Sequence, residues 1–243
     1  MIAVVPARYG STRLPAKALA EIGGMPMVVR VWRQACRAKS MSRVLVATDD
    51  ERIAAPVRAA GGEVLMTSSS HETGTDRIAE VAQKIPADVY LNVQGDLPFV
   101  EPADLDALAA PMIADASIAM ATLATPIKDE AEWRNPNAVK VVCGMDGNAL
   151  YFSRSPIPFA RDGGMPALAL RHLGVYGYRR AFLLDFAALA PGVLERIEKL
   201  EQLRALEHGC RIRVVASIAP SIEVDTADDL ARARECAGKV GAA

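Results

Sequence analysis

Residues 43–66 read RVLVATDDERIAAPVRAAGGEVLM, and this stretch decides the predicted fold. Arg43–Thr48 is a continuous apolar run bounded by charge, which is typical of a buried parallel strand. Asp49 or Asp50 can cap the helix that follows, and Gly61-Gly62 ends that helix. Glu63–Met66 is the next strand. The stretch is therefore a strand–helix–strand unit whose two strands lie parallel.

The same alternation continues on both sides of this unit. On the amino-terminal side, Ile2–Pro6 is predicted as a strand and Met25–Lys39 as a helix with apolar residues at near-helical spacing. On the carboxyl-terminal side follow a helix from about Thr75 to Lys84 and the strand Ala87–Val93. The order βαβαβα predicts a parallel sheet with helices on both faces.

The second half of the chain mixes strand directions. Strands are predicted at Ser117–Ala124, Ala138–Cys143, Ala149–Ser153, Leu173–Arg179 and Arg211–Ser217. Asp146-Gly147 is a strong hairpin signal between the second and third of these strands. A long helical region covers Ala181–Glu207, and a last helix starts near Thr226 in a capping-box pattern. We expect one domain over residues 1–243, with an antiparallel insert at approximately 135–180.

Composition excludes several classes of protein. The 243 residues are 51% hydrophobic and 23% charged, as in an ordinary globular protein. The 28 basic and 29 acidic residues give a net charge of −1, which lacks the electrostatic signature of a nucleic-acid binder. No stretch approaches 18 uninterrupted apolar residues, so we expect no membrane insertion. The four cysteines are dispersed, which favours idle thiols in a reducing cytosol.

The loop after the first strand is the most informative place for function. Residues 8–17 read RYGSTRLPAK, and Arg8, Arg13 and Lys17 are its three cations. Backbone N–H groups, an arginine fork and a lysine charge are what phosphate recognition requires. The alternative is an ordinary solvated basic loop. The spacing matches neither the P-loop nor the dinucleotide fingerprint.

Two acidic positions follow other strand-like stretches. Asp96 lies in Asn92-Val93-Gln94-Gly95-Asp96, and Asp225 lies just before the last helix. A carboxylate together with substrate phosphates is a usual way to hold Mg²⁺. Asp96 alone is explained as well by a strand-ending turn, and Asp225 by a favourable charge at a helix N-terminus. The neighbouring Glu223 stays undecided between the two interpretations.

Further polar residues could contact a substrate. Thr75 and Arg77 open a predicted helix, where they could meet a base or a phosphate, and ordinary N-capping explains them about as well. Arg154, His172 and Tyr176 lie beside apolar strands, where a lone buried cation is costly. The three histidines are dispersed, so neither a zinc set nor a Ser/His/Asp triad is recognisable.

Taken in order, these segments resemble the 3-deoxy-D-manno-octulosonate (Kdo) cytidylyltransferase family over nearly the whole chain. The motifs that carry the resemblance are residues 6–17, Val46–Asp50, Gly74–Arg77, Asn92–Asp96, Asn135–Lys140, Leu150–Pro158, Arg171–Tyr178, Leu200–Arg204 and Val224–Thr226.

The resemblance implies an α/β fold of the glycosyltransferase-A type, with a mixed, mainly parallel sheet flanked by helices. It implies a cytoplasmic homodimer that transfers CMP from CTP to the anomeric hydroxyl of Kdo, giving CMP-Kdo and pyrophosphate for lipopolysaccharide biosynthesis. It further implies that the reaction depends on Mg²⁺, with two ions expected when CTP is bound. The insert would serve dimerisation and sugar binding.

The resemblance also assigns roles to residues. It implies that Lys17, Arg13, Asp96 and Asp225 are catalytic, and that Asp96 and Asp225 hold the metal. The residues implied to bind CTP are Arg8, Arg13, Lys17, Thr75, Arg77 and Gln94. Those implied to face the sugar acid are Arg154, His172, Tyr176, Glu201 and Gln202.

Three positions depart from the family pattern. Ala16 stands where glycine is frequent, Leu97 stands where glutamate is frequent, and Glu223 replaces a smaller residue. The loop Arg161–Leu170 is short, which leaves its role as a lid open. Three other functions stay possible from the sequence: transfer to another sugar acid, a glycosyltransferase that consumes a nucleotide sugar, and a nucleotide-binding regulator without catalysis.

Overall fold

The computed structural model describes residues 1–10, 14–219 and 222–240. Its strands are β1 (Ile2–Ala7), β2 (Glu21–Ile22), β3 (Met25–Pro26), β4 (Arg43–Thr48), β5 (Glu63–Met66), β6 (Val89–Asn92), β7 (Met120–Pro126), β8 (Lys140–Cys143), β9 (Ala149–Ser153), β10 (Leu170–Arg179) and β11 (Ile212–Ala216). Its α-helices are α1 (Met27–Ala35), α2 (Glu51–Ala59), α3 (Gly74–Lys84), α4 (Pro102–Ala114), α5 (Glu130–Arg134), α6 (Arg180–Ala188), α7 (Val193–Glu198), α8 (Gln202–Glu207) and α9 (Ala227–Val240). A short 3-10 helix covers Lys17–Leu19.

The chain forms two compact units, residues 1–106 with 221–243, and residues 107–220. In the first unit β6, β1, β4 and β5 lie side by side, and each neighbouring pair is parallel. All six residues of β1 are buried, as apolar strands covered on both faces should be. The predicted parallel sheet is therefore confirmed.

The second unit carries the antiparallel strands. There β7 pairs in parallel with β11 and antiparallel with β10, while β8 and β9 form a hairpin that joins β10 through β8. Gly147 sits in the hairpin turn at a φ of 75°, a conformation that glycine adopts without strain. Mixed strand direction in this half agrees with the expectation. The single-domain prediction with an insert at approximately 135–180 stays a prediction.

Some predicted elements were wrong in extent. The helix predicted at Met25–Lys39 is shorter, because Met25–Pro26 pairs with β2 before the helix starts. The region Ala181–Glu207 is three helices. The first ends at Ala188, shortly before Pro191-Gly192, and Lys199 adopts a left-handed backbone after the second.

Two helices, α4 and α5, were not predicted. The first is mostly apolar around its circumference and contains Pro111, so it shows no helical period. Within the part of the chain that the structure describes, no helix is both long and apolar enough to cross a membrane.

Candidate active site

The order of strands in the first unit marks a place for a ligand. From β1, the strands β4 and β5 continue to one side, whereas β6 lies on the other. In open α/β sheets the crevice beyond the carboxyl ends of the strands, where the order reverses, is the usual binding position. The segment that leads to Lys17 leaves β1 at this point, and the segment that carries Asp96 leaves β6.

Close backbone packing holds the Asp96 segment against β1. The amide of Val93 donates to the carbonyl of Val4 at 3.0 Å. A Cβ atom on Gly95 would lie 3.0 Å from the carbonyl oxygen of Pro6. Glycine at this position therefore lets the Asp96 segment approach the end of β1 closely. Leu97 is buried, which explains why an apolar residue suits this position, where glutamate is frequent in the family that the sequence resembles.

A second main-chain contact brings Asp225 to Asp96. The amide of Val224 donates to the carbonyl of Asp96 at 2.9 Å. Immediately afterwards, Thr226 and Asp229 form the predicted capping box, in which the Asp229 carboxylate accepts from the amides of both Asp225 and Thr226. The α9 cap therefore fixes the position of Asp225 without using its side chain.

Lys17 joins the two carboxylates. Its Nζ lies 2.8 Å from Oδ2 of Asp96 and 2.9 Å from Oδ1 of Asp225. The three side chains are only 17–23% exposed. Burial acts to lower the pKa of Lys17, but the charges and hydrogen bonds of both aspartates outweigh it and raise that pKa above its ordinary value.

Glu223 belongs to the same cluster. One carboxylate oxygen from each of Asp96, Glu223 and Asp225 lies within 4.8 Å of the other two. Three carboxylates offer the hard oxygen ligands that divalent cations such as Mg²⁺ prefer. The sequence left Glu223 undecided. Its spacing of two from Asp225 was the available signal, since alternate residues of an extended segment share a side.

The backbone before Lys17 is strained. Ala16 has a φ of 53°, in the left-handed region that favours glycine. This conformation explains why glycine is frequent there in the family that the sequence resembles, and it starts the short helix that orients Lys17.

The rest of the basic loop is partly seen. Arg13 lies outside the described residues, and Arg8 is exposed with its Nη1 3.5 Å from the carbonyl of Glu72. The ring of Tyr9 stacks on the guanidinium of Arg52, with Cζ 3.4 Å from the ring centroid. Arg52 is held in turn by two hydrogen bonds to Asp50, the cap of α2. This stack anchors the start of the loop to the N-terminus of α2.

The other residues predicted to bind CTP lie in the same unit in different settings. Gln94 is partly exposed beyond the end of β6, and Thr75 is buried in the first turn of α3. Arg77 is buried and donates to Thr67, with its Nη2 3.4 Å from Asp49. Arg77 thus ties the ends of β4 and β5 together, and its contact with CTP stays a prediction.

Arg154, predicted to face the sugar acid, lies in the second unit and is fixed by main-chain acceptors. Its guanidinium donates to the carbonyls of Glu198, Pro136 and Lys199 at 2.7, 3.0 and 3.4 Å. The Glu198 carboxylate also accepts from the backbone amide of Arg154 and the hydroxyl of Ser153. Sequence analysis did not identify Glu198 as the partner of Arg154.

Lys140 holds the backbone next to Arg154. It is fully buried, and its ammonium donates to the carbonyls of Asn135, Ala138 and Arg154 at 2.9, 2.6 and 2.6 Å. Burial lowers its pKa. Lys140 belongs to the motif Asn135–Lys140. A lysine inside a strand pattern gives no sign that its ammonium group connects three main-chain carbonyls.

His172 is held as a neutral ring. The Thr122 hydroxyl donates to the carbonyl of Val175 at 2.8 Å, so at 2.9 Å it accepts a hydrogen bond from Nε2 of His172. The ring also packs against Phe152 and Tyr176. Burial lowers the pKa of His172 to about 3. At neutral pH His172 can therefore exchange hydrogen bonds but carries no charge.

The remaining residues predicted to face the sugar acid surround the start of α8. Glu201 precedes this helix, and Gln202 is its first residue. The Nε2 atom of Gln202 is buried and has no hydrogen-bond partner among the described residues. An unpaired buried amide is costly unless a ligand or water completes it.

Comparisons with known proteins agree with one another. A family model described as "Cytidylyltransferase" matches residues 2–212. A "3-deoxy-manno-octulosonate cytidylyltransferase" of Geobacter metallireducens is 56% identical over 94% of each chain, and one of Geobacter sulfurreducens is 51% identical over 96% of this chain and 97% of that protein. A solved structure described as "CMP:2-keto-3-deoxy-manno-octonic acid synthetase complexed with CTP" is 41% identical, covers 98% of each chain and has a TM-score of 0.92.

Proposed function

The chain belongs to the 3-deoxy-manno-octulosonate cytidylyltransferase family, and on that premise we propose that it forms CMP-Kdo and pyrophosphate from CTP and Kdo in a Mg²⁺-dependent reaction. Family membership makes the protein a nucleotidyltransferase that uses the mixed, mainly parallel sheet described above. The observation that carries the proposal is the meeting of Lys17, Asp96 and Asp225, from three distant parts of the chain, beyond the ends of β1 and β6.

The carboxylate cluster fits a divalent cation. Asp96, Glu223 and Asp225 supply oxygen ligands close together, and an ammonium group already lies against two of them. These residues would hold Mg²⁺, with a second ion expected beside the triphosphate. Bound there, Mg²⁺ would neutralise charge on the phosphates and lower the pKa of the attacking hydroxyl.

The chain's own cations bind and orient the nucleotide. Phosphoryl and nucleotidyl transfers need positioning and charge neutralisation more than covalent help. The anomeric hydroxyl of Kdo attacks the α-phosphorus, the bond from that phosphorus to the bridging oxygen breaks, and pyrophosphate leaves while the hydroxyl proton passes to solvent. We assign Arg8, Arg13 and Lys17 to the triphosphate, where they stabilise charge on the departing pyrophosphate.

The second unit supplies the contacts to the sugar acid in this proposal. The main chain holds the guanidinium of Arg154 in place, so its position does not depend on the ligand. His172 is neutral and would act through hydrogen bonds, whereas Arg154 would provide the positive charge for the sugar carboxylate. Tyr176, Glu201 and Gln202 complete the proposed sugar-binding set.

The proposal also covers the oligomeric state of the protein, its location in the cell and the pathway in which it acts. We assign the protein to the cytoplasm, where CTP is formed and where free thiols persist, as all four cysteines are unpaired. It would act there as a homodimer in lipopolysaccharide biosynthesis. Exposed apolar side chains in the expected insert, Met145, Leu150 and Phe159, support self-association. Sedimentation velocity checks the dimer, which Leu150→Asp should weaken.

Pyrophosphate release tests the proposed reaction. The full chain is incubated with CTP, Mg²⁺ and one of three sugar acids: Kdo, its 8-amino analogue or N-acetylneuraminate. We expect the highest kcat/KM with Kdo and no release when either the sugar or the metal is omitted. Faster pyrophosphate release with another sugar acid would mean that this acid, and not Kdo, is the substrate. Binding of CTP without release from any of them would favour a regulator instead.

A further inference from the structure

The ammonium group of Lys17 occupies the place between Asp96 and Asp225 that a bound metal ion would need. Its Nζ is within 3 Å of one oxygen of each carboxylate, and Glu223 adds a third negative charge to the cluster. We propose that Lys17 is an internal counter-cation that competes with the divalent metal for these carboxylates. This inference rests on the proposed function, because it concerns the same site.

Electrostatic repulsion prevents the ammonium of Lys17 and a divalent metal ion from occupying the carboxylates at the same time. Carboxylates this close repel one another, and an ammonium between them offsets that repulsion in the absence of metal. A divalent ion on the same oxygens would lie within a few ångströms of Nζ, where two positive charges repel strongly at partly buried positions. Lys17 therefore has to leave the carboxylates when the metal binds.

The structure allows this movement in the side chain alone. The amide of Lys17 donates to the carbonyl of Leu14, and its carbonyl accepts from the amide of Ala20, both at 3.1 Å. The main chain is thus fixed on both sides, whereas the four-carbon stem of a lysine carries its charge flexibly. The displaced ammonium needs a new anion, and the triphosphate is the one that the proposed reaction brings.

Coupling between the metal and CTP follows. A triphosphate that attracts Lys17 frees Asp96 and Asp225, so nucleotide raises the affinity for metal, and by linkage metal raises the affinity for nucleotide. The site stays weak for metal until CTP arrives. Lys17 therefore has two roles in sequence, first as a placeholder at the carboxylates and then as a phosphate ligand.

Binding of Mn²⁺ to the full chain without nucleotide tests the competition. Free Mn²⁺ is measured by electron paramagnetic resonance for the wild type, Lys17→Met and Lys84→Met, a control lysine that pairs with Glu80 on α3. We expect Lys17→Met to bind Mn²⁺ about tenfold more tightly, the factor that corresponds to the loss of two partly exposed ion pairs. Lys84→Met should leave the affinity unchanged.

Further variants make the result decisive. Lys17→Gln repeats the test should Lys17→Met fail to fold, and thermal melts identify the folded variants. Adding Asp225→Asn to Lys17→Met should abolish the gain, which places the ion at this cluster. Unchanged or weaker Mn²⁺ binding in the folded Lys17 variants would overturn the inference. The assay contains neither CTP nor sugar, so its outcome is separate from that of pyrophosphate release, which tests the proposed function.

Discussion

Substituting His172 changes how stability depends on pH. Burial lowers the pKa of His172 to about 3 in the folded protein, whereas an unfolded chain has a histidine pKa of about 6.5. The unfolded state therefore binds the proton more readily. Above pH 6.5 the ring is neutral in both states, so His172 does not reduce the free energy of unfolding of the wild type. As the pH falls from there towards 3, that free energy decreases progressively.

The size of this loss follows from the two pKa values. Between pH 7.5 and pH 5.5, protonation of His172 in the unfolded chain should cost about 1.4 kcal/mol of folding free energy. His172→Gln keeps an N–H donor for Thr122 but has no proton to gain. The variant should lack this part of the pH dependence, whatever its stability at pH 7.5.

Urea unfolding at both pH values gives the comparison. The other histidines, His71 and His208, are present in both proteins, so the difference between wild type and variant isolates His172. We expect the wild type to lose about 1.4 kcal/mol more than His172→Gln on acidification. Equal losses would mean that His172 titrates near its ordinary pKa, and would refute the reasoning about its neutral state.

Three further predictions concern the first unit. Ala16→Gly should raise the free energy of unfolding by about 0.5–1 kcal/mol, because glycine adopts a positive φ without strain; a less stable variant in thermal melts would contradict this. Arg52→Ala should weaken CTP binding in calorimetry by about two- to fivefold, as Tyr9→Leu should, through loss of the stack. Arg58→Ala on the same helix is the control, and an equal effect there would exclude a specific role for the stack. Asp225→Asn should lower Mg²⁺-dependent turnover by about a hundredfold or more with an unchanged melt, and retained activity would make Asp225 merely a helix-terminal charge.

The parallel half of the fold was predictable because each of its elements has a local signal. Arg43–Thr48 and Glu63–Met66 were predicted with the bounds that the structure shows, since short apolar runs bounded by aspartates or glycines indicate strands. In contrast, α4 is mostly apolar and interrupted by Pro111, so its helical period is hidden. The break between α7 and α8 depends on the left-handed backbone of Lys199. No local sequence pattern predicts that conformation for a lysine.

The candidate site was predictable in part. Lys17, Asp96 and Asp225 were selected from their places after strand-like stretches, and the structure brings them together. That Lys17 bridges the carboxylates could not be predicted, because it depends on a tertiary contact between the β6 turn and the segment before α9. The role of Glu198 in holding Arg154 has the same cause, since the two residues are 44 positions apart.

Anomalous diffraction from crystals of the full chain grown with CTP and Mn²⁺ tests the central claim most directly. We expect a manganese peak within coordination distance of the carboxylates of Asp96 and Asp225, with Nζ of Lys17 moved from them to the triphosphate. Manganese bound elsewhere, or Lys17 still between the two aspartates beside a bound nucleotide, would contradict the account.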